Sequence, residues 1–376
     1  MKKAWEIDYI LIGAVSVLII LGILILASVS APLSQEKFGK PTYFLFHQIM
    51  VGLIPGLIFG FLAFRVPINF FRKWSLVFLI INLFSMVLVF APKIGVASGG
   101  ASRWINLGLF SLQPSEFLKI TFVLYIAAWL SSRIEIKKNR FSSGKNQKIE
   151  AREALFPFMM ILGAVTLLLA KQPDISTLGV IIATAALLYF ASGTPVYHSV
   201  LIILIGAIGL FAFIGTASYR FNRFLTFLRP EIDPMGIGYQ IKQALIAVGS
   251  GGILGQGLEE SFRKFSFLPH PISDSIFAIF AREFGFIGSL FLVSLFLVFA
   301  WRGFTISKAS QNKFSQLTAL GISFWITIQA FINIGSIIGI LPLSGVPLPF
   351  ISYGGSALIT ELIGVGILLN ISKKGL

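Results

Sequence analysis

The chain has 376 residues, of which 56% are hydrophobic and 12% charged, with 30 Lys and Arg against 15 Asp and Glu. A soluble domain carries about 25% charged residues, and so few polar side chains cannot cover an apolar interior in water. A mean hydropathy of +0.88 excludes soluble globular, disordered and collagenous chains and leaves an integral membrane protein.

The apolar runs are long and unbroken, whereas a membrane β-barrel is built from short alternating strands. In chain order they are Tyr9–Ser28, Phe44–Phe64, Trp74–Ala91, Glu116–Ser131, Ala154–Ala170, Ser176–Ser192, Tyr197–Ala217, Ser275–Trp301, Gln316–Ile338 and Ser356–Ile371. A helical span needs about 20 such residues, so these runs predict an all-α polytopic fold with about ten transmembrane helices. The first run follows Lys2 and Lys3, exceeds the apolar core of a signal peptide and precedes no small-residue cleavage site. It reads as a retained anchor.

Basic residues of short loops set the orientation. Arg65, Arg72 and Lys73 separate spans two and three. Arg133, Lys137, Lys138, Arg140, Lys145, Lys148 and Arg152 separate four and five, and Arg302, Lys308 and Lys313 separate eight and nine. With Lys2, Lys3, Lys373 and Lys374 at the ends, all fall on one side, which is therefore cytoplasmic together with both termini. The opposite short loops hold only Lys37, Lys40, Lys93, Arg103 and Lys171. This predicts a multi-pass membrane protein, as a single domain over 1–376.

Within it, 132–153 is a cytoplasmic basic loop whose Ile136–Arg152 stretch reads as a solvated linker. Pro92–Ser115 is a glycine-rich outer loop. Residues 218–274 form a large extracytoplasmic loop between spans 7 and 8, long enough to be translocated despite six basic residues. Its closely spaced Phe, Leu and Ile predict short helices on the membrane face. Cysteine is absent, and His47, His198 and His270 are scattered. Disulfides, thiol chemistry and a histidine metal cluster are thereby set aside. The basic surplus lies between apolar runs, so topology accounts for it and nucleic acid does not.

The scarce acids can be enumerated. Glu6, Asp8, Glu36, Glu135, Glu150, Glu153, Glu231, Asp233, Glu259 and Glu260 lie in loops or near ends and read as solvated charge. Glu116, Asp174, Asp274, Glu283 and Glu361 sit in or at the ends of spans, where an ionised group costs several kcal/mol unless paired or hydrated. Glu116 and Lys119 share a helical face after Pro114. They form either a structural ion pair or a cationic receiver for an anionic substrate. Asp274 closes FLPHPISDS and is either a helix cap beside Ser273 or a reactive carboxylate at the outer face. Glu283 lies about 13 Å deeper along a helix beside Arg282, so the two reach different neighbouring spans. Lys119 or Arg282 is a candidate partner for Glu361.

Three more segments stand out. Gly249–Gly257 (GSGGILGQG) lacks the Lys-Ser/Thr of a nucleotide loop and reads as a tight re-entrant turn or as backbone N–H groups facing a lipid phosphate. Trp104 reads as an interfacial anchor when taken alone. Leu341–Ser356 (LPLSGVPLPFISYGGS) is broken backbone between two spans, which is tolerated at membrane depth when buried or lining a cavity.

In GASRWINLGLFSLQPSEFLK (Gly100–Lys119), GIGYQIKQALIAVGSGGILGQGL (Gly236–Leu258), FLPHPISDSIFAIFAREFGFIG (Phe267–Gly288) and INIGSIIGILPLSGVPLPFISYGGSALI (Ile332–Ile359), the chain resembles the SEDS family (shape, elongation, division and sporulation) of bacterial membrane proteins. Gly255-Gln256-Gly257-Leu258, with Ser261 and Lys264, resembles the division branch more than the elongation branch. The resemblance covers nearly the whole chain. It implies a peptidoglycan glycosyltransferase that polymerises lipid II into glycan strands, working with a class B penicillin-binding protein transpeptidase and other division or elongation membrane proteins. By motif, Asp274 matches the family's essential aspartate, Glu116 and Lys119 its span-four polar pair, Arg103 and Trp104 its Arg-Trp, and Asp174 its Pro-Asp site. Glu283, Ser352 and Gly354 complete the implied substrate-binding set. The chain departs from the family at Ile272-Ser273-Asp274-Ser275, at Arg282-Glu283 and at Gln172-Pro173-Asp174-Ile175-Ser176-Thr177.

The implied chemistry is coherent, because an extracytoplasmic donor must carry its own leaving group, as a lipid diphosphate does. Attack by a sugar hydroxyl on an α-linked donor inverts the anomeric carbon and needs a base and a counter-charge for the diphosphate. Asp274 is the expected base. Lys119, Arg103 or a divalent cation (Mg or Mn) is the expected counter-charge, with no organic cofactor, and an apolar cavity between spans holds the polyprenyl chains. A flippase or transporter for a lipid-linked precursor, a non-enzymatic division scaffold, and a polymerase of another lipid-linked glycan fit the same spans.

Overall fold

The computed structural model describes residues 7–92, 94–98, 101–106, 108, 110–142, 151–194, 196–215, 218–257, 269 and 271–375. Lys2, Lys3, Glu6, Lys93, Lys145, Lys148, Glu150, Leu258, Glu259, Glu260, Ser261, Lys264 and His270, which entered the reading above, lie outside them.

Where it is described, each of the ten apolar runs lies largely in a helix. They are α1 (Tyr9–Phe38), α2 (Tyr43–Arg65), α3 (Ile68–Leu88), α4 (Pro114–Ser142), α5 (Ala151–Lys171), α6 (Ile175–Ala191) and α7 (Val196–Gly215). After α8 (Ser218–Leu228) and α9 (Ile237–Ser250) come α10 (Ile276–Ala309), α11 (Lys313–Ile337) and α12 (Gly355–Gly375). Among the described residues, six of these helices are long and apolar enough to cross a membrane by themselves, and Leu155–Lys171, Ile175–Ala191 and Val196–Gly209 are shorter apolar helices. The remaining run lies in α4 and carries the buried pair Glu116 and Lys119. The chain is thus a multi-pass helical membrane protein.

Three expectations need correction. The Pro92–Ser115 segment is not simply loop. It forms an antiparallel sheet, β1 (Gly95–Ser98), β2 (Ala101–Asn106) and β3 (Ser111–Leu112), with Val96 opposite Trp104 and Ile105 opposite Leu112. The expected linker at 136–152 is helical where it is described, because α4 continues to Ser142 and α5 starts at Ala151. Finally, the single run Ser275–Trp301 is broken, since Gly285 within α10 has φ 65° and ψ −162°.

That break explains the glycine-rich stretch after α9. Leaving helical geometry at Gly285 frees backbone groups on both sides. Gln256 N–H donates to Arg282 O (3.0 Å) and Gly257 N–H to Glu283 O (3.1 Å), while Phe286 and Ile287 N–H donate to Gly252 O (2.9 Å) and Ile253 O (3.2 Å). The two segments interlock so closely that a β-carbon on Gly285 would lie 2.3 Å from Gly255 N. The lipid-phosphate reading of this turn is corrected accordingly: the N–H groups of Gly255, Gln256 and Gly257 are spent on backbone carbonyls.

At the end of the bundle that holds the termini, α12 lies against α2. Gly52, Gly56 and Gly60 recur every four residues, so the two backbones meet, and a β-carbon on Gly366 would lie 2.1 Å from Gly60 O. Asn370 then donates to Ala63 O (2.9 Å) and Val66 O, and Lys373 to Phe64 O (3.0 Å), satisfying the last carbonyls of α2. Asp8, expected as solvated charge, is instead buried: it caps α1 through Leu11 N–H (2.9 Å) and pairs with Arg302 of α10 at 2.7 Å.

Candidate active site

The opposite end of the bundle gathers most of the residues singled out in the sequence. Asp274 stands just ahead of α10. The N-cap of that helix is Ser275, with no side-chain capping bond, so the helix-cap reading of Asp274 is overturned. The side chain is half-buried. Its Oδ1 accepts from Ser273 Oγ (3.0 Å), and a β-carbon on Gly345 would lie 3.8 Å from its Oδ2.

The backbone beneath this carboxylate is held at three consecutive carbonyls. Tyr353 N–H donates to Ile272 O (2.9 Å), Ser352 Oγ to Ser273 O, and Asn333 Nδ2 to Asp274 O (2.8 Å). Two of the three donors come from the non-helical connection 341–354 and the third from α11. Local sequence explains the connection's shape, because three prolines and three glycines between Leu341 and Ser356 cannot continue a helix. The backbone must then find partners elsewhere.

Those partners come from the spans around it. Gln48, in a π-helical turn of α2 (Gln48–Leu53), accepts from Gly354 N–H (3.0 Å) and donates to Ser352 O (3.4 Å). Ser352 Oγ accepts from Leu348 N–H (2.8 Å), Asn333 also donates to Val346 O (2.8 Å), and Gln329 donates to Pro347 O (3.0 Å). Phe350, a bulky residue at φ 65°, occupies strained backbone that persists only where its surroundings hold it. Its N–H donates to Glu361 Oε2 (2.8 Å). Of the two expected partners of Glu361, Lys119 acts on it through its charge, beside the Phe350 N–H, whereas Arg282 donates to Gln256 Oε1 (2.9 Å).

Glu116 and Lys119 meet as an ion pair at 2.6 Å, both almost fully enclosed. Lys119 also donates to Gln329 Oε1 (2.7 Å), the amide that reaches Pro347. Of the two readings given to this pair, the geometry is that of an internal ion pair tied to the 341–354 connection. Glu283 accepts from Ser28 of α1 (3.3 Å), so it and Arg282 do reach different neighbours.

On the other flank, Arg103 in β2 donates through Nε to Gln172 O (2.9 Å) and through Nη2 to Pro173 O, two of its five N–H groups. Asp174 caps α6 through Thr177 N–H (3.2 Å), and its Oδ2 has no hydrogen-bond partner among the described residues. Ser176 Oγ donates to Ser344 O, beside Gly345 and hence beside Asp274. Trp104 is half-buried in β2. The structure therefore brings Arg103, Asp174, Asp274, Ser352 and Gly354 to one end, joined by the 341–354 connection. It places Glu283 about two helical turns farther along α10.

Sequence reasoning passed over Gln48, Gln329 and Asn333, three neutral amides that organise this end. Their signal was present: an amide inside an apolar run is costly to bury without partners, and all three are buried.

Comparison with known proteins agrees with this architecture. The family model for the FtsW, RodA and SpoVE cell cycle proteins matches residues 8–375. Stage V sporulation protein E of Bacillus subtilis is 37% identical over 366 residues, 97% of either chain. A probable peptidoglycan glycosyltransferase FtsW of Geobacter is 35% identical over 374 residues, 100% of this chain and 99% of the other. Among solved structures, a chain of a peptidoglycan synthase complex superposes with a TM-score of 0.78 at 24% identity, and the rod shape determining protein RodA of Thermus thermophilus with 0.70 at 24%, each covering 98% of both chains. Sequence along almost the whole length and fold agree, and this chain belongs to the FtsW/RodA/SpoVE family of cell cycle proteins.

Proposed function

We propose that this protein is a peptidoglycan glycosyltransferase that polymerises lipid II at the outer face of the cytoplasmic membrane during cell division, with Asp274 as general base. One observation carries the reading: a half-buried carboxylate at the end of the bundle away from α12's C-terminus rests on a backbone held at three consecutive carbonyls. Relatives at 35–36% identity named as probable peptidoglycan glycosyltransferases support the reaction class. Among the described residues, Arg65, Lys308, Lys313 and Lys373 lie at the ends of α2, α10, α11 and α12 away from Asp274, which supports an extracytoplasmic Asp274 and cytoplasmic termini.

In this reaction the 4-hydroxyl oxygen of the acceptor GlcNAc forms a bond to the anomeric carbon of the α-linked donor. The bond from that carbon to the diphosphate oxygen breaks, and undecaprenyl diphosphate leaves. The hydroxyl proton passes to an Asp274 carboxylate oxygen. One displacement inverts the anomeric carbon to a β-linkage. Arg103, half-buried and braced by two carbonyls, is the cation assigned to the departing diphosphate. Lys119 acts from within, through Gln329, on the 341–354 connection. Among the described residues no three His, Asp or Glu side chains converge as metal ligands; a Mg or Mn ion would be held by the Asp274 carboxylate together with the substrate diphosphate and would supply further counter-charge, and no step is routed through it. A class B penicillin-binding protein is the proposed partner, supported by the likeness in fold to a chain from a peptidoglycan synthase complex.

The test gives purified protein, together with a class B penicillin-binding protein, lipid II and resolves the glycan strands by gel. Polymer is expected from the native chain and none from a folded Asp274→Asn variant. Polymer from that variant would remove the general-base role. Lipid II scrambling in liposomes without any polymer would replace the transferase by a flippase.

A further inference from the structure

We propose that Asn333 is a positioning residue that fixes the Asp274 carboxylate by holding its own backbone carbonyl. The inference rests on the general-base reading above and deepens it.

A base must sit within hydrogen-bond reach of the hydroxyl it deprotonates, and a displacement of about 1 Å costs on the order of a hundredfold in rate. Asp274 lacks the usual means of keeping such a position. It lies ahead of α10, outside the helical hydrogen-bond ladder, in a turn bounded by Pro271 and Ser275. The donor to its backbone carbonyl comes from far along the chain. Asn333, near the C-terminal end of α11 and wholly enclosed, lies 59 residues away and donates to Asp274 O at 2.8 Å. Its second amide proton goes to Val346 O at 2.8 Å.

One side chain therefore ties the base to the connection whose Gly345 borders the Asp274 carboxylate. It also joins the base to the buried charges, because the adjacent carbonyl, Pro347 O, is held by Gln329, which receives Lys119. Asn333 Oδ1 is buried with no hydrogen-bond partner among the described residues, a desolvation cost that packing alone gives no reason to keep.

Asn370 supplies a matched control. It is a buried amide that likewise donates to two carbonyls, Ala63 O and Val66 O, but at the end holding the termini. Asn333→Leu and Asn370→Leu are compared in lipid II polymerisation, with thermal midpoints measured on the same samples. For Asn333→Leu, kcat is expected to fall by at least ~30-fold while KM for lipid II stays within about threefold. Asn370→Leu is expected to lower the midpoint at least as much while its kcat per folded molecule stays within about twofold. Should Asn333→Leu not fold, Ser352→Ala removes the donor to the preceding carbonyl and is expected to lower kcat at least ~5-fold, again without a change in KM.

Native kcat in folded Asn333→Leu, or in Ser352→Ala if that variant must stand in, overturns the inference. So does an equal loss of kcat in Asn370→Leu, which would make the effect one of general packing. The two levels separate cleanly. If Asp274→Asn is inactive and Asn333→Leu polymerises normally, only the positioning role falls. If Asp274→Asn polymerises, the base reading falls and takes this inference with it.

Discussion

The two ends of the bundle solve a similar problem with different geometry. At the end that holds the termini, Asn370 and Lys373 complete the carbonyls of a regular helix, and Asp8 and Arg302 join α1 to α10. The groups satisfied there are those any helix leaves open. At the Asp274 end, Gln48, Gln329, Asn333, Glu361 and Ser352 hold a connection with no regular structure, and that connection holds the turn bearing the carboxylate. The same chemical devices thus secure closed helices at one end and an irregular backbone at the other. The difference teaches where changes cost stability and where they cost rate.

The largest effect is expected at Asp274 itself. Asp274→Asn keeps the size of the side chain and all three backbone carbonyl bonds, so the thermal midpoint is expected to stay put. The polymerisation rate is expected to fall by at least ~100-fold, the range for loss of a general base. A comparable fall in the midpoint would mean that the carboxylate is structural and would erase the contrast between the ends.

Lys119→Met comes next and acts through stability. Glu116 and Lys119 are both enclosed, and removing one partner of a buried pair leaves a stranded charge, costing about 3–5 kcal/mol. The double variant Glu116→Gln with Lys119→Met is expected to recover part of this loss, as seen in chemical denaturation of the detergent-solubilised protein. If the double variant is no better than the single one, the pair does not act as a unit. Asp8→Ala is expected to cost less, about 2–3 kcal/mol, because Arg302 retains partial access to solvent. The rate per folded molecule should be unchanged.

How much of this was legible in the sequence depended on the range of the interaction. The ten spans, the Glu116–Lys119 pair and the broken Leu341–Ser356 segment are local patterns, and composition or i,i+3 spacing reveals them. Asp274 was legible because a long loop and a motif converge on it. Asp8 was misjudged because its partner Arg302 lies 294 residues away, and nothing near either residue announces the pairing. The N–H that Glu361 receives was missed for a different reason, since enumerating charges directs attention to cations such as Lys119 and passes over a backbone N–H freed by Pro349 and the turn at Phe350. Asn333 and Gln329 escaped because an amide carries no charge to count, although its burial in an apolar run is nearly as demanding. The short strands β1–β3 are too rich in glycine and serine for alternation to stand out.

The smallest effect tests where the boundary between the two regimes lies along α10. Ser28 of α1 donates to Glu283 Oε1 at 3.3 Å, a long bond two residues before the break at Gly285. Ser28→Ala removes that donor and little else, so its cost is expected to be about 1 kcal/mol, a modest fall in the denaturation midpoint. Glu283 lies two helical turns beyond Asp274, and its bond to Ser28 reaches α1 and none of the carbonyls that fix the turn carrying the base. On that geometry the polymerisation rate should remain native. A clear loss of rate with a native midpoint would place Glu283 among the groups that set the position of Asp274. The catalytic end would then extend down α10 as far as the interlock between Gly285 and Gly255, making that glycine crossing part of the machinery instead of a device that only satisfies backbone.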